Sequence, residues 1–242
     1  MTQPDRTETQ GNFDLVDAFR LPGCPICTLA LGAVSQYMSS TNYDALGDPD
    51  IRRQFEQSQG FCNHHAHQWL GEAFVLGTAQ MYRDVIATLA ADLEQRSFQG
   101  GGKLGRAGFM MGRRAGADGS MMEPSRSCPA CEILAETESR LTRTLLKGLS
   151  DASFRDAWSA SGGLCIPHLR TALAAAPNRD AFDHLRDQTL RHQRVLLAHL
   201  EETIRKHDYR FRHEPAGEEK GSPERAVSHV AGSAGIIKPR IV

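Results

Sequence analysis

The sequence predicts an all-α protein built from two related halves, and three observations carry that prediction. Apolar residues recur at helical spacing along most of the chain, with no alternating Val/Ile/Tyr-rich run to mark a strand. LPGCPIC at 21–27 returns as SRSCPAC at 125–131, and QGFCNHH at 59–65 returns as GGLCIPH at 162–168. The spacing is kept as well. Cys24 and Cys128 lie 104 residues apart, as do Cys27 and Cys131, while Cys62–Cys165 and His65–His168 are 103 apart, a difference of one deleted residue. Other positions hold the same register: Ile51 with Phe154, Phe55 with Trp158, Gly60 with Gly163, Leu70 with Leu173, and Arg83-Asp84 with Arg186-Asp187. A repeat that agrees in motif, spacing and register reads as an internal duplication.

Taken in order, residues 1–12 are polar and expected to be disordered. The first helical unit spans 13–98. It holds a small helix at 13–20, a helix from the CPIC motif over 25–40, and a short one at 49–58 with Asp48 as cap, Pro49 at the first position and Gly60 as stop. A long helix follows over 63–97, with a break near Gly71–Gly77. The second unit, 126–211, repeats the plan with helices at 129–148, 152–161 and 166–208, the last broken at Pro177. Asn178 caps its final stretch, where Phe182, Leu185, Thr189, Leu196, Leu200 and Ile204 form an apolar stripe. Between the units, 99–125 is Gly-rich and reads as a flexible linker, and 212–242 is rich in Pro, Gly and charge and reads as a disordered tail. The expected architecture is two tandem, pseudo-symmetric three-helix units packed through their long helices, because a lone unit leaves apolar stripes exposed.

Composition narrows the function. The 242 residues carry a formal net charge of −1, which gives no global attraction for nucleic acid or a membrane surface. The N-terminus lacks the basic start and apolar core of a secretory signal, and no stretch nears the roughly 18 apolar residues of a membrane span. The expected location is the cytoplasm. In a reducing compartment six cysteines point to metal binding or redox chemistry rather than to structural disulfides. Every one of the six falls inside the repeated motifs.

The motifs explain why these residue types recur. In CPxC the proline suits the first helical position, where its missing N–H costs nothing. The two cysteines then lie one turn apart on one face. In GxCxxH the glycine ends the preceding segment, the cysteine stands at the cap and the histidine lies one turn in. Each unit thus offers two helix N-termini, and their free N–H groups and partial positive charge favour thiolates. If the two ends of one unit meet, they form Cys3His, a tetrahedral zinc set. That reasoning assigns one site to Cys24, Cys27, Cys62 and His65, and the other to Cys128, Cys131, Cys165 and His168. Four protein ligands leave no open position, so both sites are expected to be structural, with no catalytic residue assigned. An iron–sulfur cluster is the alternative occupant, although clusters are most often held by four cysteines. A thiol–disulfide oxidoreductase is a further alternative for CPxC, but no convincing strand precedes either motif and CxxH is then unexplained.

Other conspicuous residues read as scaffold or surface. His64 and His67 flank His65 in the first unit only and are expected to face solvent. His184, His192, His199 and His207 recur every seven or eight residues and form a polar or partner-facing stripe. Arg83-Asp84 and Arg186-Asp187 suit inter-helix ion pairs, and Trp69 and Trp158 fall in core register. No phosphate loop, Ser/His/Asp order or HExxH pair occurs.

CPIC, GFCNHH, CPAC and GLCIPH together resemble a bacterial and archaeal domain-of-unknown-function family whose halves each carry CPxC…GxCxxH. The resemblance covers about residues 13–211. It supports the eight residues as ligands and implies no activity. The functional expectation is a zinc-stabilised helical protein acting as a non-enzymatic interaction or regulatory module with an unidentified protein partner. An iron–sulfur or redox/metal sensor on the same cysteines is the alternative.

Overall fold

The computed structural model describes residues 14–43, 47–95 and 123–235. Among them regular structure is helical throughout. Residues 14–18 are helical, and the chain continues through α1 (Pro25–Tyr43), α2 (Pro49–Gln57), α3 (Asn63–Glu72) and α4 (Val75–Glu94). The second part of the chain gives α5 (Pro129–Gly148), α6 (Ala152–Ser159), α7 (Ile166–Ala174), α8 (Arg179–His207) and α9 (Ser222–Ala231). The expected segments 1–12 and 99–122, and residues 236–242 of the tail, lie outside the described residues.

Local chemistry accounts for the helix boundaries. Asp48 accepts from the Asp50 N–H (2.8 Å) at the start of α2. Asp151 accepts from the Phe154 N–H (2.9 Å) ahead of α6, and Asn178 from the Ala181 N–H (2.9 Å) ahead of α8. Each satisfies one of the orphan donors of a first turn. The long third helix expected in each repeat is two helices, broken at Ala73–Phe74 and at 175–178. At the second break Pro177 cannot donate and disfavours helical backbone before it. The first break is bridged by Trp69 Nε1, which donates to Thr78 Oγ1 (3.0 Å), and by the Phe74 N–H, which donates to Asn42 Oδ1 (3.1 Å).

Two compact units organise the described residues. The first holds 14–33 and 134–235, the second 34–43, 47–95 and 123–133, so the division falls inside α1 and inside α5. In the first unit Leu15, Phe19, Ile26, Leu141, Leu145, Phe154, Trp158, Leu164 and Leu185 build the core. Phe19 stands edge-on to Phe154 and Trp158 at 5.2 and 5.6 Å between centroids. In the second unit Val34, Met38, Phe55, Phe61, Trp69, Met81 and Val85 are buried. Phe55 packs edge-on against Phe61 and Tyr82 at 5.0 and 5.2 Å. Each such side chain taken fully out of water contributes roughly 1.5–3 kcal/mol of transfer free energy. Both tryptophans are therefore core residues, as their register predicts. Leu70, Phe182 and Ile204 break the expected apolar register and lie exposed.

The tail departs from expectation. Residues 222–231 form α9, an amphipathic helix with Pro223 in its first turn, packed against α7 and α8. The histidine stripe of α8 is where it docks. The His192 and His229 rings lie 5.1 Å apart, Gln193 and His229 are within 3.2 Å, and Thr203 and Ser222 share a hydrogen bond of 2.8 Å. Charge fastens the connecting turn: Lys206 Nζ reaches Glu219 Oε1 at 2.8 Å, and Arg205 pairs with Glu202 and Glu214. High Pro, Gly and charge content concealed this helix because its partner surface is another polar face, which composition does not reveal.

Candidate metal centres

All four half-motifs place their cysteines at helix entries. Cys62 and Cys165 are the N-caps of α3 and α7, with nearly the same backbone (φ −62°, ψ 165° and φ −68°, ψ 160°). Their carbonyls accept the first helical bonds from Ala66 and Leu169, both at 2.8 Å. Cys24 and Cys128 precede Pro25 and Pro129, and their carbonyls accept from Thr28 and Glu132, both at 3.1 Å. Gly60 and Gly163 sit at φ +86° and +72°, a left-handed turn that turns each chain into its CxxH helix.

The eight residues converge as two quartets, and the quartets are not the ones the repeats suggest. Cys24 and Cys27 of the first repeat meet Cys165 and His168 of the second. Cys62 and His65 of the first meet Cys128 and Cys131 of the second. The expected in-repeat sets, Cys24/Cys27/Cys62/His65 and Cys128/Cys131/Cys165/His168, are thereby corrected. The reason is the length of α1 and α5. At 1.5 Å per residue, 19 and 20 residues carry the chain about 28–30 Å from its CPxC end. The short α2 and α6, of 9 and 8 residues, do not retrace that length. Each CxxH helix stays near the far half of its own CPxC helix and meets the CPxC of the other repeat.

Within each quartet the four ligand atoms lie within 4.8 Å of one another. In the first unit, His168 Nδ1 is 3.4 Å from Cys24 Sγ, 3.4 Å from Cys27 Sγ and 3.2 Å from Cys165 Sγ, and Cys27 and Cys165 are 3.6 Å apart. In the second, His65 Nδ1 is 3.3 Å from Cys62, 3.6 Å from Cys128 and 3.3 Å from Cys131, and Cys62 and Cys131 are 3.6 Å apart. Sulfur hydrogen bonds from Cys165 and Cys24 hold the Cys27 thiol well below its ordinary pKa, while burial pushes Cys24 up. Burial works against a charged His168, yet its bonds to Cys165, Cys27 and Glu138 outweigh it and raise the ring to about 11. Burial, then the charge of neighbouring His64, lowers His65 to about 4, leaving a neutral ring with a free lone pair at pH 7. Three sulfurs and one imidazole nitrogen around one point are a donor set that can hold a metal ion.

Residues 8–235 match the family model DUF6062, described as a family of unknown function. The chain belongs to DUF6062. No curated protein and no solved structure matches it.

The two centres of this DUF6062 chain differ in their surroundings. His168 Nε2 donates to Glu138 Oε1 at 3.0 Å, which orients the ring with Nδ1 toward the sulfurs. Among the described residues His65 Nε2 is buried without a hydrogen-bond partner. Glu138 went unnoticed in the sequence for a physical reason: 104 residues earlier, at its repeat counterpart, stands Val34. No repeated signal marks it. The backbone N–H of Ser233, just beyond α9, is hydrogen-bonded to Cys27. In the other centre the sulfur of Cys128 accepts the backbone N–H groups of Cys62 and Cys131. Beside the first centre lies a cavity of about 280 Å³, walled by Gly163, Cys165, His192 and, from α9, Arg225 and His229. His64 and His67 are exposed, and His65 is the histidine of its cluster that enters the sulfur set. Among the described residues no helix is long and apolar enough to cross a membrane.

Proposed function

We propose that each quartet holds one zinc ion and that the chain is a zinc-stabilised, non-enzymatic interaction module. The observation that carries this reading is the spacing of the donor atoms. Zn–S bonds of about 2.3 Å and a Zn–N bond of about 2.0–2.1 Å at tetrahedral angles require sulfurs roughly 3.7–3.8 Å apart and S···N distances of roughly 3.5 Å. One sulfur pair in each quartet, at 3.6 Å, and S···N distances of 3.2–3.6 Å lie close to those figures. An iron–sulfur core would stand between its ligands and force their donor atoms farther apart. Cys24, Cys27, Cys165 and His168 would hold one ion, and Cys62, His65, Cys128 and Cys131 the other. Bound there, zinc supplies cross-linking between helix N-termini. With all four positions taken by protein it offers no site for substrate, which favours a structural over a catalytic role. Free N–H groups at the helix entries offset the net negative charge of three thiolates, one imidazole and Zn²⁺.

A protein partner is part of the proposal. Leu70, Val75 and Leu76, around the α3–α4 break, expose apolar side chains of the kind that partners cover. Elemental analysis of protein purified without added metal tests the metal reading: two zinc per chain are expected. Iron in place of zinc, or no bound metal, overturns it. Affinity capture from the host reads the partner.

A further inference from the structure

We propose that the two centres have separate roles: Cys62 and Cys131 form a hydroperoxide-sensitive pair whose oxidation opens the second-unit centre, while the first-unit centre keeps its ion. This rests on the zinc reading above. The asymmetry is visible at three levels. Cys24, Cys27, Cys165 and His168 are all buried, with Cys27 at 0% and Cys165 at 2% exposure, whereas Cys62 and Cys131 are half-buried. Glu138 anchors His168, whereas its repeat counterpart Val34 has no acceptor to offer, and His65 Nε2 has no hydrogen-bond partner among the described residues. Removing such an outer hydrogen bond lowers metal affinity by about 10–100-fold. The sulfurs also differ within the exposed quartet. Cys128, at 9% exposure, stands at the edge of burial, and its sulfur takes two backbone N–H groups, so it is the anchored ligand; Cys62 and Cys131 are the more accessible pair, 3.6 Å apart.

The chemistry balances with a hydroperoxide as oxidant. One of the two thiolates attacks the O–O bond and becomes a sulfenic acid, releasing the alcohol or water. The second thiolate attacks that sulfur, forming the disulfide and releasing hydroxide. Two sulfurs lose two electrons in all, and the peroxide, with two protons, leaves as water and an alcohol (two waters for hydrogen peroxide). Cys128 and His65 then remain as the only ligands, half of the four that a structural site uses.

The test treats zinc-loaded full-length protein with hydrogen peroxide, follows free zinc with a chromogenic chelator and maps disulfides by mass spectrometry after alkylation. Zinc content is measured before oxidant is added; fewer than two equivalents there overturns the zinc reading itself. With two present, one equivalent is expected to leave together with a Cys62–Cys131 disulfide, the second at least about tenfold more slowly. Simultaneous release of both, or a first disulfide among Cys24, Cys27 and Cys165, overturns the separation of roles. Glu138→Val, which puts the residue of the other repeat in its place and removes the acceptor, is expected to speed release from the first-unit centre by about 10–100-fold. An unchanged rate removes Glu138 as the source of the difference.

Discussion

Single residues carry much of the geometry around these centres. Gly148, the last residue of α5, lies so close to the Phe154 ring that an added Cβ would come within 2.6 Å of it. Phe154 is buried and clamped by Phe19, so the ring has no room to withdraw. Gly148→Ala is therefore expected to cost about 1–3 kcal/mol by overpacking, measurable as a lowered denaturant midpoint with unchanged slope. Gly162 is similar in kind: its Cβ would meet the carbonyl oxygen of Gly23 at 3.3 Å. That contact joins the loop before Cys24 to the loop before Cys165. Glycines at 60 and 163 were legible as stops in the sequence. The tight spots at 148 and 162 were not, because what a missing Cβ avoids is a neighbour distant in the chain.

Ion pairs from the end of α8 fasten the turn that leads into α9. Lys206, then the Gly217 N–H, draws the Glu219 carboxylate down to about 2, and Arg205 does the same for Glu202. Their unfolded-state values are near 4.3, so the folded form binds fewer protons between those limits. The contribution is complete above the unfolded value and is lost as pH falls through about 2. Hydrogen exchange across residues 222–231, compared between the wild type and Lys206→Met, is expected to show extra protection in the wild type near neutral pH. That difference should fade between about pH 4 and pH 2. A difference that persists at the acid end contradicts the role given to this ion pair. For α8 the cap is decisive: Asn178→Ala is expected to cost about 1 kcal/mol, read by thermal unfolding.

At the scale of the molecule, each compact unit draws its quartet of three cysteines and one histidine from both sequence repeats. Double substitution separates this pairing from the in-repeat alternative. Cys24→Ala with Cys165→Ala strikes one centre only, and one zinc per chain should remain. Cys24→Ala with Cys62→Ala strikes both, and none should remain after dialysis against a mild chelator. The reverse pattern restores the in-repeat sets. A structural zinc contributes roughly 10–16 kcal/mol of apparent binding energy, against a whole-domain stability of about 5–15. Cys165→Ala should therefore unfold the first unit before the second, seen as early loss of hydrogen-exchange protection at α6–α8. Complete chelation that leaves the melting curve unchanged contradicts the structural role of both ions.

The sequence by itself determined the helical class, the entries and stops of most helices, the burial of Trp69 and Trp158, and the eight residues that cluster. These are local matters: a proline at a first position, a side-chain cap, a cysteine and a histidine one turn apart. Which CPxC meets which CxxH, the carboxylate behind His168, and the docking of α9 on a polar face were decided only in three dimensions. Two identical half-motifs of each kind combine in two ways with the same spacing, and the choice between them falls to the length of α1 and α5. A rigid helix moves its two ends far apart in space, and nothing written at either end records where the other arrives.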